Sequence, residues 1–208
     1  DEDLGARAVG RARATMVVDG HVDFPYRQAE SPVDISQRTE DRNFDYPRAK
    51  AGGLDAPFMS IYIPSSYQES GGAKELAEEL IGMVEALERD HPDKFAIARS
   101  PDEIEEQFAR GLISLPMGME NGEPIEGELA NVEYFYDRGI RYIGLTHGAN
   151  NHLSDSSYAR ERQWNGISPF GREVIAEMNR LGILIDTSHL SDDAFWQIAE
   201  ISAAPLIA

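Results

Sequence analysis

The sequence predicts an α/β fold built on a parallel sheet, and three observations carry that prediction. Six short apolar runs recur along the 208 residues, each bounded by Gly, Pro or polar side chains. Within a run the apolar residues are continuous rather than alternating, as in strands buried on both faces. Between the runs lie segments with helical periodicity, and alternating strands and helices favour parallel pairing through helical crossovers.

Taken in order, the first run is "TMVVDGH" (15–21). A long stretch without clear pattern follows, "QAESPVDISQRTEDRNFDYPRAKAGG" (28–53), then the second run, "APFMSIYIP" (56–64). "AKELAEELIGMVEALERD" (73–90) places Leu76, Leu80, Met83, Val84 and Leu87 on one helical face. "SPDEIEEQFARG" (100–111) has a Ser cap, Pro at the first helical position, early acids and a closing Gly. The third run, "GLISLPMGME" (111–120), leads to a helix over 128–139 that stops at Gly139. "RYIGLTH" (141–147) is the fourth run, and a second patternless stretch, 148–166, comes after it. A helix over 168–182, the run "GILIDTSH" (182–189), a Ser-capped helix over 191–202 and the run "APLIA" (204–208) complete the chain. Long loops after strands are usually functional. Six strands suit either an open doubly wound sheet or part of a (β/α)8 barrel. No G-x-G-x-x-G follows the first run, which weakens a dinucleotide-binding reading. No repeat or interdomain linker is visible, so residues 1–208 read as a single domain.

Composition narrows the function. Acidic residues outnumber basic ones by 37 to 19, for a formal charge of −18. Such a surface repels a phosphate backbone, so no nucleic-acid partner is expected. The absence of cysteine excludes disulfides and thiolate zinc sites, leaving His, Asp and Glu to hold any metal. No run approaches the roughly 20 apolar residues of a transmembrane helix. The chain opens on Asp1 rather than Met and closes inside an apolar run, so the expectation is a protein cut at its C-terminal end.

There are five histidines. His91 follows a long helix and reads as a surface residue. His21, His147 and His189 each end an apolar run, Glu120 ends another, and His152 follows His147 within the same loop. In a (β/α)8 barrel the strand ends converge on one face, where active sites lie. Residues 21, 23, 120, 147 and 189 would then surround one point. Imidazoles with carboxylates suit zinc or a similar divalent ion. His21 and Asp23 lie two apart, on the same side of an extended strand, and Glu120 has two oxygens with which to bridge a pair of ions. Taken singly, each residue has an ordinary structural explanation, and Asp186 in "LIDTSH" is read as a structural polar group. The joint pattern carries the site.

The motifs "DGHVDFP", "GMENGEP", "RYIGLTH" and "MNRLGILIDTSHLSD", in this order, resemble those of the renal (membrane) dipeptidase family, zinc metallopeptidases with an amidohydrolase-like barrel. "GGLDAPFMSIYIP" and "SAAPLIA" fit the same family. The resemblance implies a (β/α)8 barrel of which this chain supplies the first six strands. It implies that His21 and Asp23 bind one zinc, Glu120 bridges two, and His189 binds the second. His147 would contact substrate and hold the developing oxyanion. The implied reaction is hydrolysis of a dipeptide amide by a metal-bridging hydroxide, with two zinc ions per intact chain. A further histidine, in a Ser-His pair, would follow Ala208, as would a substrate-binding arginine and a late acidic residue. One departure is Glu123, where many members carry His. Competing readings are a metal-dependent amidohydrolase acting on N-acyl amino acids or lactones, and an inactive member serving as a binding protein. A homodimer and an exported, periplasmic or membrane-associated location in a bacterium are further expectations.

Overall fold

A computed structural model describes residues 2–208. The helices are α1 (Glu2–Ala14), α2 (Phe24–Glu30), α3 (Tyr46–Gly52), α4 (Tyr67–Ser70), α5 (Ala73–Asp90), α6 (Pro101–Ala109), α7 (Ala130–Asp137), α8 (Pro169–Leu181) and α9 (Asp192–Ile201). The strands are β1 (Val18–Val22), β2 (Ala56–Tyr62), β3 (Phe95–Ile97), β4 (Ile113–Leu115), β5 (Met117–Glu120), β6 (Ile140–Gly144), β7 (Leu184–Asp186) and β8 (Leu206–Ile207).

The six expected strands form one sheet in the order β1-β2-β5-β6-β7-β8. The pairings β1–β2, β6–β7 and β7–β8 are parallel. Each run therefore neighbours the next in sequence, with no reversal of direction across the sheet. A doubly wound sheet reverses its strand order at a switch point, whereas a barrel adds strands in one direction. The fold class is thus α/β with barrel-type winding.

Four details differ from the sequence-based expectation. The third run is broken at Pro116 into β4 and β5, and β4 pairs in parallel with β3, a strand too short to register as a separate run. The patternless stretch 28–53 contains the end of α2 and all of α3. The α3 helix is set by caps rather than by periodicity: the Asp45 side chain accepts from Arg48 N, Pro47 sits in the first turn, and Gly53 takes the left-handed conformation (φ 77°). Along α5 the fully buried stripe is Ala73, Ala77, Leu80, Ile81 and Val84. Leu80 and Val84 are thus buried as expected, whereas Leu76, Met83 and Leu87, to one side of that stripe, are only half-buried.

The chain divides into two compact units. One runs up to Ser60 and resumes over Gly82–Met117; the other comprises Ile61–Ile81 and Gly118–Ala208. The first is organised around Asp45, whose side chain is fully buried. Its carboxylate accepts bonds from Thr39 N (2.9 Å), Thr39 Oγ1 (3.0 Å), Arg48 N (2.9 Å) and the Arg48 guanidinium. Burial opposes ionisation of this group, but the bonds from Thr39 and Arg48 outweigh it and hold the pKa below the usual carboxylate value. Phe95, Ile113 and Leu115 pack in the core of this unit, with the Tyr46 ring edge-on to Phe95 at 5.5 Å.

In the second unit Val132 and Phe135 of α7 and Val174, Ile175 and Met178 of α8 are buried, as are Ile143 and Ile185 of the strands. Packing is tightest at Gly118, where an added Cβ would lie 2.0 Å from the Tyr142 ring. Gly118 is therefore dictated by a side chain one strand away.

Two stability outcomes follow from these contacts. Asp45→Asn should lose about 2–4 kcal/mol at pH 7, since buried donors are left poorly matched. Because the folded pKa is depressed, this stabilisation is present above the unfolded value near 3.9 and fades as pH falls through the folded pKa. Denaturant titrations at pH 7 and pH 3 should show the variant and the wild type converging at the lower pH. Gly118→Ala should cost about 3 kcal/mol by overpacking, read as a lowered Tm with secondary structure retained.

Candidate metal centre

Glu120 is the last residue of β5, and its carboxylate is largely buried. His147 and His189 each lie three residues beyond a strand, after Gly144 of β6 and Asp186 of β7. Both present Nε2 to the same carboxylate oxygen. His189 Nε2 lies 3.1 Å from Glu120 Oε1 and His147 Nε2 lies 3.5 Å from it. The two imidazole rings are 4.3 Å apart between centroids and inclined at 60°. One donor atom from each of the three residues falls within 4.8 Å of the others. Two borderline nitrogens and one carboxylate oxygen, gathered at strand ends, form a donor set suited to zinc.

Backbone hydrogen bonds place both histidines. The Ser156 hydroxyl donates to His147 O at 2.5 Å, and Ser157 N donates to His189 O at 2.8 Å. His189 itself has a left-handed backbone (φ 67°), a conformation that a non-glycine residue keeps only when its surroundings hold it. The serines belong to the loop after β6, and that loop is locked by Asp155, which is fully buried. Asp155 accepts from Gln163 N (2.8 Å), Trp164 N (3.1 Å) and Gly166 N (3.0 Å). The patternless stretch 148–166 is therefore an ordered clamp around a buried carboxylate.

Two tyrosines flank the cluster and escaped the sequence reading. The Tyr62 ring sits 4.9 Å from the His147 ring, edge-on. Tyr158 lies 6.4 Å from His147 and 5.7 Å from His189, yet is 64% exposed. Tyr62 ends β2, so the strand-end rule that selected the histidines would have selected it as well. Nothing in the local pattern marks Tyr158.

In the other unit His21 Nε2 lies 3.2 Å from Asp23 Oδ1, as the spacing suggested. The geometry differs from an extended strand, however: β1 ends at Val22, and Asp23 turns as the cap of α2. The pair lines a cavity of about 350 Å³ with Phe24, Arg27, Arg42 and Phe44.

The remaining candidates fall elsewhere. Asp186 Oδ1 accepts from Ser188 N at 2.9 Å. His91 faces Asp34 at 3.8 Å. Glu123 is buried and turns to His152, Oε2 to Nδ1 at 3.4 Å.

Fold and donor set define the class first: an α/β protein of barrel-type winding, with imidazole and carboxylate side chains that could hold a metal ion at the carboxyl ends of its strands. The sequence profile of the membrane dipeptidase family, peptidase family M19, matches residues 6–208, and the chain belongs to that family. Dipeptidase 3 of Mus musculus is 31% identical over 216 residues, covering all of this chain and 43% of that protein. An uncharacterized dipeptidase of Schizosaccharomyces pombe is 29% identical over 204 residues, covering 91% of this chain and 50% of its own length. Among solved structures, a family M19 dipeptidase superposes with a TM-score of 0.81 at 29% identity, over 93% of this chain and 62% of that one. A Rhodobacter sphaeroides metallopeptidase, solved with a phosphinate mimic of the dipeptide L-Ala-D-Ala, gives 0.80 at 27% identity, over 93% and 64%. The chain spans about half the length of the curated relatives it matches.

A site that exists only in the folded state stabilises the protein when filled. Zinc at 100 times its dissociation constant should add about 2.7 kcal/mol, visible as a raised Tm. His189→Ala should abolish most of that rise while leaving the metal-free Tm nearly unchanged.

Proposed function

We propose that the protein is a binuclear zinc dipeptidase, in which His21, Asp23, Glu120 and His189 hold the metal and His147 meets the substrate. The observation that carries this reading is the convergence of two imidazoles on one carboxylate oxygen of Glu120. Family membership supports it, and supports assigning His21 and Asp23 to the same centre. The donor set fits zinc: imidazole and carboxylate, with no thiolate in the chain.

Bound zinc supplies Lewis acidity and lowers the pKa of water toward neutrality. The chain's own groups do the rest. Glu120, low in exposure, has two carboxylate oxygens and so would be able to serve two ions. His147 is held by Ser156 through its carbonyl, and its imidazole, beside the Glu120 carboxylate, would donate to the oxygen of the scissile carbonyl as charge develops there. Tyr62, edge-on to His147, and Tyr158, beside both imidazoles, would orient a short substrate. A dipeptide is the substrate class that the family supports.

The test is turnover by the native protein of a panel of dipeptides, N-acyl amino acids and lactones, with and without a chelator. Hydrolysis of dipeptides that is lost to chelation and restored by zinc supports the proposal. Activity confined to N-acyl amino acids or lactones would replace it with an amidohydrolase, and no turnover of any class would favour a binding protein. His189→Ala should lower kcat/KM by at least about 100-fold, beyond the usual effect of an outer-shell change.

A further inference from the structure

Neither residue of one buried amide pair near Glu120 belongs to the proposed ligand set or contacts substrate in the reading above. Asn121 follows Glu120 directly, is 2% exposed, and has a left-handed backbone with φ 76°. Glycine is the unstrained choice at such a position. Asparagine tolerates it better than most residues, but here the side chain is also in use. Asn121 Nδ2 donates to Ile63 O at 2.9 Å, and Asn121 Oδ1 accepts from Asn151 Nδ2 at 3.0 Å.

Asn151, also 2% exposed, completes the connection. Its Nδ2 donates in addition to Leu145 O at 2.7 Å, and its Oδ1 accepts from Leu153 N (2.8 Å) and Ser154 N (3.1 Å). All four hydrogen-bonding positions of that amide are thus filled. The adjoining backbone is pinned from both sides, since Ile63 N donates to Glu120 O at 3.1 Å and Gly122 N donates to Leu145 O at 3.3 Å.

The pair joins three strand ends within two residues of the site: Ile63 follows Tyr62, Asn121 follows Glu120, and Leu145 is two residues before His147. On its far side, Leu153 and Ser154 open the loop that carries Ser156 and Ser157 to the two histidines. We propose that Asn121 and Asn151 are positioning residues that fix the direction of the Glu120 carboxylate relative to the imidazoles of His147 and His189. The proposal rests on the metal-centre reading. It gives a reason for asparagine, rather than glycine, at a left-handed position.

The decisive variant is Asn121→Gly, which relaxes the backbone and removes only the amide. Its metal-free Tm should stay within about 3 °C of the wild type, because relieved strain offsets lost hydrogen bonds. Its zinc affinity, measured by competition with a chromophoric chelator, should fall 10- to 100-fold. The kcat for a simple dipeptide should fall by a similar factor with KM little changed. Combining it with Asn151→Ala should add less than the product of the single effects, since both act on one linkage. Wild-type zinc affinity and kcat in folded Asn121→Gly would overturn the proposal while leaving the dipeptidase reading intact. If Asn121→Gly does not fold, the same readouts on Asn151→Ala decide. Absence of zinc binding in the wild type would overturn both, and His189→Ala serves as the control that reports on the centre alone.

Discussion

Two imidazole nitrogens directed at one largely buried carboxylate oxygen are the arrangement on which the rest of this site depends. Left alone, such a cluster gains only a hydrogen bond or two between the imidazole rings and the carboxylate. In the proposed reading Glu120 and His189 hold a divalent ion while His147 faces the substrate beside it, which gives the close approach of the three side chains a reason. A ligand site of this kind needs its side chains held to about 0.5 Å, here at the ends of three strands. The chain meets that demand with buried, saturated hydrogen bonds rather than with salt bridges.

The supporting structure is layered outward from the cluster. Ser156 and Ser157 grip the carbonyls of His147 and His189. Asp155 grips the loop that carries those serines, and the Asn121–Asn151 pair ties the start of that loop to the strand ends. Left-handed backbone at Asn121 and His189, both non-glycine, marks where this framework imposes a conformation that the isolated chain would avoid. Strain and saturation occur together because the second holds the first in place.

Much of this was legible in the sequence. Buried parallel strands such as β2 and β5 leave continuous apolar runs, and the residue type that ends such a run marks one end of the sheet. Glu120, His147 and His189 were found in that way, as was the fold class. The β1 strand is largely exposed and β8 half-buried, against the expectation for their runs. What escaped has physical reasons. The α3 helix is too short for periodicity and is defined by the Asp45 cap and Gly53. The β3 strand is three residues long. On α5 Leu80 and Val84 lie on the expected face, but the buried stripe continues through Ala73, Ala77 and Ile81 rather than through Leu76, Met83 and Leu87. Tyr158 and the Asn121–Asn151 pair depend on contacts between residues distant in sequence, for which a single chain of letters offers no signal. His21 and Asp23 do lie side by side, but Asp23 stands at the cap of a helix rather than on an extended strand.

The central claim, that Glu120 and His189 are metal ligands rather than a hydrogen-bonded pair, is tested most directly by anomalous scattering at the zinc edge from crystals of the zinc-loaded native protein. The account predicts two peaks, both within ligand distance of the Glu120 carboxylate and one of them also on His189 Nε2, roughly 3.5–4 Å apart as in other two-metal sites. A map with no peak at Glu120, or with the His189–Glu120 hydrogen bond intact in the presence of saturating zinc, would contradict it.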